Sequence, residues 1–272
     1  MIPIHPSSLV SGTWHYGVVA QWWYEFNRQG PEIAYLKQLI ASTGQPVLDV
    51  GCGAGRLLVA LAKAGFDVDG ADVSSDMLER CAEYARTEHV SPRLYAQAIH
   101  ELALPRKYRT IYVCGTFGIG GRRDDDCEGL RRMYEHLEPS GTLVLDVHVE
   151  WRDPKHWSYW LAENQEKLPE PQLPEWDPKP TSDGSALRLR ARVMALDPIE
   201  QVITLSMLAE RFRDGQLETE EAYTLSSCLY FRYELQMMLE RAGFVDVTLH
   251  GDHVHAPPTA TSKVLVFVAR KP

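Results

Sequence analysis

From Pro46 to Val149 the hydrophobic positions alternate between two rhythms. Five short apolar runs rich in β-branched and aromatic residues read as buried strands: "PVLDVGC" (46–52), "FDVDGAD" (66–72), "PRLYAQAI" (92–99), "TIYVCGTF" (110–117) and "GTLVLDVHV" (141–149). Between them, "GRLLVALAKA" (55–64) has helical spacing with Gly65 as its C-terminal cap. A second helix runs from a cap at Ser74 or Ser75 to about Thr87, with Asp76 in its first turn and Met77, Leu78, Cys81, Tyr84 and Ala85 turned inward. A third, "DCEGLRRMYEHLEPSG" (126–141), precedes the last strand. Strand and helix in alternation predict a doubly wound parallel sheet with right-handed crossovers.

Outside this block the rhythm differs. "GVVAQWWYEFNRQGPEIAYLKQLIAS" (17–42) reads as amphipathic helix broken near Gly30-Pro31. Residues 150–185 carry many prolines and four tryptophans, which predicts an ordered irregular segment over a pocket rather than a linker. Three strands follow in antiparallel order, with turns near Asp197-Pro198 and Asp214-Gly215. "RYELQMMLERAGF" (232–244) is a helix ending at Gly243, and "VDVTLHG" and "KVLVFVAR" form a closing strand pair. The expected division is 1–149 for N-terminal lid helices and a cofactor-binding core, 150–230 for an inserted lid and antiparallel strands, and 231–272 for the elements that complete the core.

Composition narrows the class. The 272 residues are 44% hydrophobic and 24% charged, with net charge −9. That describes an ordinary soluble domain, with no basic face for a nucleic acid. The alternating arginines of "LRLRAR" (187–192) paint one side of a strand. Five scattered cysteines without a C-x-x-C pair, and a start lacking a targeting segment, point to a reducing cytoplasm. No run reaches the roughly 18 apolar residues that a membrane span needs. A monomer or homodimer is expected.

The chemistry concentrates in one stretch. Gly51, Gly53 and Gly55 follow the first strand and open the helix after it. Such a turn bends sharply, lets backbone approach a ligand and presents free N–H groups at a helix start. The dinucleotide fingerprint needs glycine or alanine where this chain has Arg56, which argues against a nicotinamide or flavin dinucleotide. Asp72 ends the second strand, where a carboxylate accepts bonds from two ribose hydroxyls.

"LDVGCGAGR" with "GADVSSDML" resembles the signature of class I S-adenosylmethionine-dependent methyltransferases, and "LEPSGTLVLDV" is similar to that family's later strand motif. The likeness spans Val47 to Val147. The inserted strands resemble the branch of sugar N,N-dimethyltransferases and glycine N-methyltransferase-like enzymes. It implies a mostly parallel seven-stranded Rossmann-like sheet with an antiparallel final strand, "KVLVFVAR", and an inserted antiparallel β cap. By position it implies that Asp49 and Gly51 hold the methionine amino group and that Gly53, beside Cys52, passes under the cofactor. Asp72 takes the ribose, and Val73 and Met77 the adenine face. Cys114 and Gly115 line the methionine moiety. Where the family often has an acid for the adenine amino group, this chain has Ala98, so the Gln97 amide or the Ile99 backbone takes that part. Alone, Asp49 and Asp72 also read as caps, Met77 as core, and Cys52 and Cys114 as small buried residues.

The acceptor side is less defined. Asp146, His148, Glu150 and Trp151 follow the fifth strand, and His148 is the candidate base against a plain structural histidine. Aromatic residues crowd 14–26 (Trp14, Tyr16, Trp22, Trp23, Tyr24, Phe26) and the insertion (Trp157, Tyr159, Trp160, Trp176). Tyr16 and Tyr24 are lid candidates for the cofactor carboxylate, with Tyr230 and Tyr233 behind them. His5, His253 and His255 read as terminal or loop histidines, no metal site is expected, and "RRDDDCE" (122–128) reads as helix initiation. The expectation is methyl transfer to nitrogen or oxygen of a small molecule. The alternatives are a non-catalytic S-adenosylmethionine-binding protein, a nucleotide-cofactor oxidoreductase, or a methyltransferase acting on protein or nucleic acid.

Overall fold

The computed structural model describes residues 15–272; Trp14 and His5 lie outside them. The described helices are α1 (Gly17–Phe26), α2 (Glu32–Thr43), α3 (Arg56–Lys63), α4 (Ser75–Thr87), α5 (Arg123–His136), α6 (Pro154–Ser158) and α7 (Arg232–Arg241). The strands are β1 (Val47–Val50), β2 (Val68–Asp72), β3 (Leu94–Ala96), β4 (Tyr108–Val113), β5 (Leu137–His148), β6 (Lys179–Pro180), β7 (Ala186–Asp197), β8 (Val202–Arg213), β9 (Gln216–Cys228), β10 (Val245–Gly251) and β11 (Val264–Arg270).

Seven strands form one sheet in the order β10-β11-β5-β4-β1-β2-β3. β3, β2, β1, β4 and β5 pair in parallel, and β11 runs antiparallel between β5 and β10. The period of two in the core strands decides which face each residue serves. Ile111, Val113, Leu143, Leu145, Leu265 and Phe267 turn to one face with Leu130 and Met133 of α5 and Leu235 and Leu239 of α7. Tyr112, Val144 and Val266, one position off, turn to the other with Leu36 and Ile40 of α2 and Leu57, Leu58 and Leu61 of α3. Burial on both faces is what makes these strands read as near-continuous apolar runs.

Three boundaries differ from expectation. The third strand keeps only Leu94–Ala96, because Ile99–Glu101 turns into a short 3₁₀ segment. The helix read as 126–141 runs instead from Arg123 to His136, and β5 begins at Leu137. Its early residues pass through Pro139 and the left-handed Ser140 before joining β4 in regular register at Thr142. The first turn of α5 carries Asp124, Asp125 and Asp126, as a helix start favours.

The second sheet, β6-β7-β8-β9, is antiparallel. Leu187 and Leu189 face Met207, Tyr223 and Leu225, and Tyr16, Val18 and Val19 pack on that apolar face at the start of α1. On the polar face Arg188 and Arg190 pair with the buried carboxylate of Glu210. Several contacts join this sheet to the core. Ile119, in the loop after β4, bridges Ser227 of β9. The Gly17 N–H donates to Asp76 Oδ2 at 2.7 Å while the Val18 N–H donates to Glu221 Oε2 at 2.8 Å, so one helix start is held by carboxylates from both bodies. No described helix is long and apolar enough to cross a membrane.

Candidate active site

A cleft of about 1110 Å³ opens along the carboxyl edge of the parallel strands. This is where an open α/β sheet offers space, because crossovers leave on opposite faces beside β1. The turn after β1 forms the floor. Gly51, Gly53 and Gly55 all have positive φ, with Gly53 at 51°. A Cβ built on Gly53 meets no atom within 4 Å, so its missing side chain leaves open cleft.

Asp72 closes the other side of that turn. Its Oδ2 accepts the Gly53 N–H and its Oδ1 the Ser74 N–H, both at 2.8 Å. Each oxygen keeps a further lone pair, and burial raises the carboxyl pKa against those bonds. Ser74, not Asp72, caps α4 through its hydroxyl to the Met77 N–H.

Asp49 is buried at an electrostatic cost. It is only 2% accessible, and its Oδ2 has no hydrogen-bond partner among the described residues. Burial pushes its pKa up to about 7, opposed by the neighbouring Tyr112 hydroxyl and Arg56. Arg56 itself is clamped in a two-pronged bond to Glu32 at the start of α2, at 2.7 and 3.1 Å.

Tyr16, Asp49, Gly51, Cys52, Gly53, Asp72, Val73, Met77, Gln97, Ala98, Ile99, Cys114, Gly115 and His148 all line the cleft. Tyr24 does not. Its ring carries the Arg28 guanidinium at 4.1 Å, and the same guanidinium lies on Tyr84, so cation–π packing holds Tyr24 on the outside of α1. The Gln97 side-chain carbonyl is committed to the Ala103 N–H, which leaves its amide NH₂. Glu101, three residues past Ala98, comes to the cleft through the 3₁₀ turn. Sequence spacing counted from a strand end did not find it.

The acceptor end departs further from expectation. The insertion contributes nothing to the cleft wall among the described residues. Tyr159 is buried against Val193, Leu196 and Ile203, and Trp160 packs on Phe231, so its aromatics cover the far end of the second sheet. Trp176 and Tyr233 are exposed, and Tyr230 reaches the cleft only through its bond to Asp126, at 2.5 Å. The cover comes instead from His15, Tyr16 and Trp23, whose buried indole N–H has no partner among the described residues.

His148 lines the cleft, but its Nδ1 lies 2.7 Å from Arg152 Nη1. Desolvation and then the Arg152 charge hold its pKa below the ordinary value. His253 lies in the β10–β11 connection, as its loop reading expects, but its side chain is turned inside: its Nε2 is 2.8 Å from Asp146 Oδ2, and both side chains are less than 10% exposed. His250 and His255 gather on the Tyr35 ring.

Residues 47–141 match a family described as a methyltransferase domain. Over those residues the core is a methyltransferase domain. The chain is 26% identical to a protein of Geobacillus sp. (strain WCH70) assigned as a methyltransferase, over 94% of this chain and 99% of that one. An S-adenosylmethionine-dependent methyltransferase from Clostridium acetobutylicum superposes with a TM-score of 0.71 at 16% identity, covering 93% and 97% of the two chains. The sugar N-methyltransferase KedS8 of Streptoalloteichus sp. does so at 0.67 and 15%, covering 95% and 96%. Those two likenesses carry the fold, including the second sheet. The donor set of the methyltransferase fits its cofactor: an orphaned carboxylate at the end of β1, a side-chain-free floor and a second carboxylate on β2.

Proposed function

We propose that this methyltransferase moves a methyl group from S-adenosylmethionine to a small-molecule acceptor, with an amine nitrogen as the favoured atom. The observation that carries the acceptor reading is the charge of the cleft wall. Its two arginines are already taken, Arg56 by Glu32 and Arg122 by Asp125. Outside the cofactor's own carboxylates, Glu101, Asp126 and Asp146 line the cleft with no lysine or arginine ion pair among the described residues. Carboxylates without cations draw in a cation, and an ammonium is the protonated form of an amine. The sugar N-methyltransferase KedS8, which shares the whole architecture, supports the same class.

The cofactor supplies an electrophilic methyl on a sulfonium. In this reading Asp49 and the Gly51 carbonyl hold its amino group, and Cys52 and Gly53 form the floor. Asp72 takes both ribose hydroxyls with its spare lone pairs. Val73 and Met77 bound the adenine face, and Gln97, Ala98 and Ile99 border its edge, with the free Gln97 NH₂ and Ile99 backbone as polar groups. Cys114 and Gly115 face the methionine chain. Tyr16 covers the site with Trp23. Enclosure then supplies position and removes water, which is most of what methyl transfer asks of a protein.

The test is transfer of labelled methyl from the cofactor to a panel of amines, amino sugars and matched alcohols, read by mass. Product from amines at far higher kcat/KM than from alcohols is expected. Tight cofactor binding with no product from any acceptor would instead favour a non-catalytic binding protein.

A further inference from the structure

An acid-walled cleft that collects ammonium ions collects the wrong protonation state, because an ammonium nitrogen has no lone pair to attack a methyl. A neutral base has to stand near the carboxyl ends of β4 and β5. Of the two cleft histidines on that side, His148 has a guanidinium donating to its Nδ1, which uses the one lone pair of a neutral imidazole. His253 is arranged the other way round.

Asp146 is held on both oxygens: Oδ1 accepts the Gly115 N–H at 2.6 Å and Oδ2 faces His253 Nε2 at 2.8 Å. A fixed carboxylate selects the tautomer with hydrogen on the nitrogen it touches, leaving the lone pair on Nδ1. No other hydrogen bond to that ring is formed among the described residues. Cys114 Sγ, an Asp146 carboxylate oxygen and a His253 ring nitrogen lie within 4.8 Å of one another, which sets the pair at the ends of the two central strands.

The backbone gives a second, independent sign. Asp252 and His253 have φ of 52° and 56°, two consecutive non-glycine residues in the left-handed region. Such a conformation is uncommon for a residue with a side chain and persists where the surroundings impose it. Here Asp252 Oδ1 imposes it by accepting the Lys263 and Val264 N–H groups at 2.7 and 3.0 Å, which turns His253 inward from the β10–β11 connection.

We propose that His253, positioned by Asp146, accepts the proton that the acceptor ammonium must lose before its nitrogen can attack the methyl group. The inference rests on the amine reading above. The ammonium N–H proton passes first to His253 Nδ1 and from there to solvent. The freed nitrogen lone pair then forms the new N–C bond as the S–C bond breaks, that bond's electron pair returns to sulfur, and the product leaves as the methylated ammonium. The Asp146 carboxylate beside the ring offsets the imidazolium charge. The titratable groups around His253 are Asp146 and His148 on β5, Glu32 and Tyr35 on α2, Cys114 after β4, and Asp252 beside it, with His250 and His255 against the same Tyr35 ring.

The experiment compares wild type with His253→Asn and Asp146→Asn. Asparagine tolerates the left-handed backbone and keeps an acceptor for the Gly115 N–H. Steady-state rates against pH on an amine acceptor are measured beside long-range nitrogen NMR of the histidine rings without cofactor. Expected are a kcat loss of about 100-fold or more in both variants, a cofactor KM within a few-fold, and loss of the acidic limb of the kcat profile in His253→Asn. The spectrum of wild type should show His253 protonated on Nε2, and Asp146→Asn should change that. An active wild type with His253→Asn within about threefold of it and an unchanged profile overturns the inference alone. So does a wild-type ring protonated on Nδ1, whatever the variants do. A wild type that binds cofactor and methylates no acceptor overturns the functional reading and this inference together.

Discussion

Asp72 Oδ2 accepts a hydrogen bond from the Gly53 N–H at 2.8 Å, so the acid that ends β2 is tied directly to the glycine turn that follows β1. Parallel pairing makes this contact possible: Val50 lies opposite Ala71, which brings the two strand ends level. One carboxylate thereby serves the shape of the turn and the space beside it.

Asp72→Ala should therefore weaken the cofactor strongly. Each hydrogen bond to a charged group is worth about 1.5–3 kcal/mol, and two hydroxyls make the loss on the order of 100-fold or more in Kd. Isothermal calorimetry with S-adenosylmethionine or its demethylated product measures it. Equal binding by wild type and variant would remove Asp72 from the ribose.

Asp49 makes a prediction about pH. Its folded pKa of about 7 lies above the ordinary 3.8, so the native state holds the proton more tightly than the unfolded chain. This group's contribution to stability is thus complete below about pH 3.8 and is lost as pH rises through about 7. Asp49→Asn should flatten that decline and raise Tm at pH 8. A cofactor ammonium favours the ionised form, so binding at pH 6 should release a proton. Calorimetry in two buffers of different ionisation enthalpy should show that release in wild type and none in Asp49→Asn, which should also bind weakly.

Two glycines should separate binding from folding. Gly53→Ala places a methyl in open cleft at a φ of 51°, so it should cost about 1–2 kcal/mol of stability and a tenfold or greater loss of cofactor affinity. Gly118→Ala drives its Cβ to 2.5 Å from the Cys228 carbonyl, where the core meets the second sheet. Its melting temperature should fall much further than that of Gly53→Ala. Paired melting curves and binding isotherms check both.

Glu221→Ala should loosen the cover without unfolding the core. It removes the acceptor of the Val18 N–H and a negative charge at a helix start, worth about 1 kcal/mol. Hydrogen exchange should speed up across α1 while the amides of β1, β4 and β5 keep their protection. Uniform acceleration over both regions would mean that α1 and the core open together.

The parallel core was legible because its information is local. Strands buried on both faces, helices with one apolar side and a turn without side chains each write their pattern into neighbouring residues, and "LDVGCGAGR" with "GADVSSDML" sets Asp49, the glycines and Asp72 at fixed distances from strand ends. The alternating arginines of β7 were legible for the same reason, since alternation assigns the face before the partner is known. What stayed hidden depends on residues far apart in sequence. Asp146 and His253 are separated by 107 positions and meet because β11 turns back beside β5 and two left-handed residues aim the ring inward. The aromatics of 150–185 were misplaced over the cleft because composition says that rings will be buried and not where. Only packing against the end of the second sheet decided that, leaving Tyr16 and Trp23 to cover the site. Sequence periodicity sets which side of an element is apolar; which surface meets it is settled by chain reversal and by the few hydrogen bonds, such as Val18 to Glu221, that lock one body onto another.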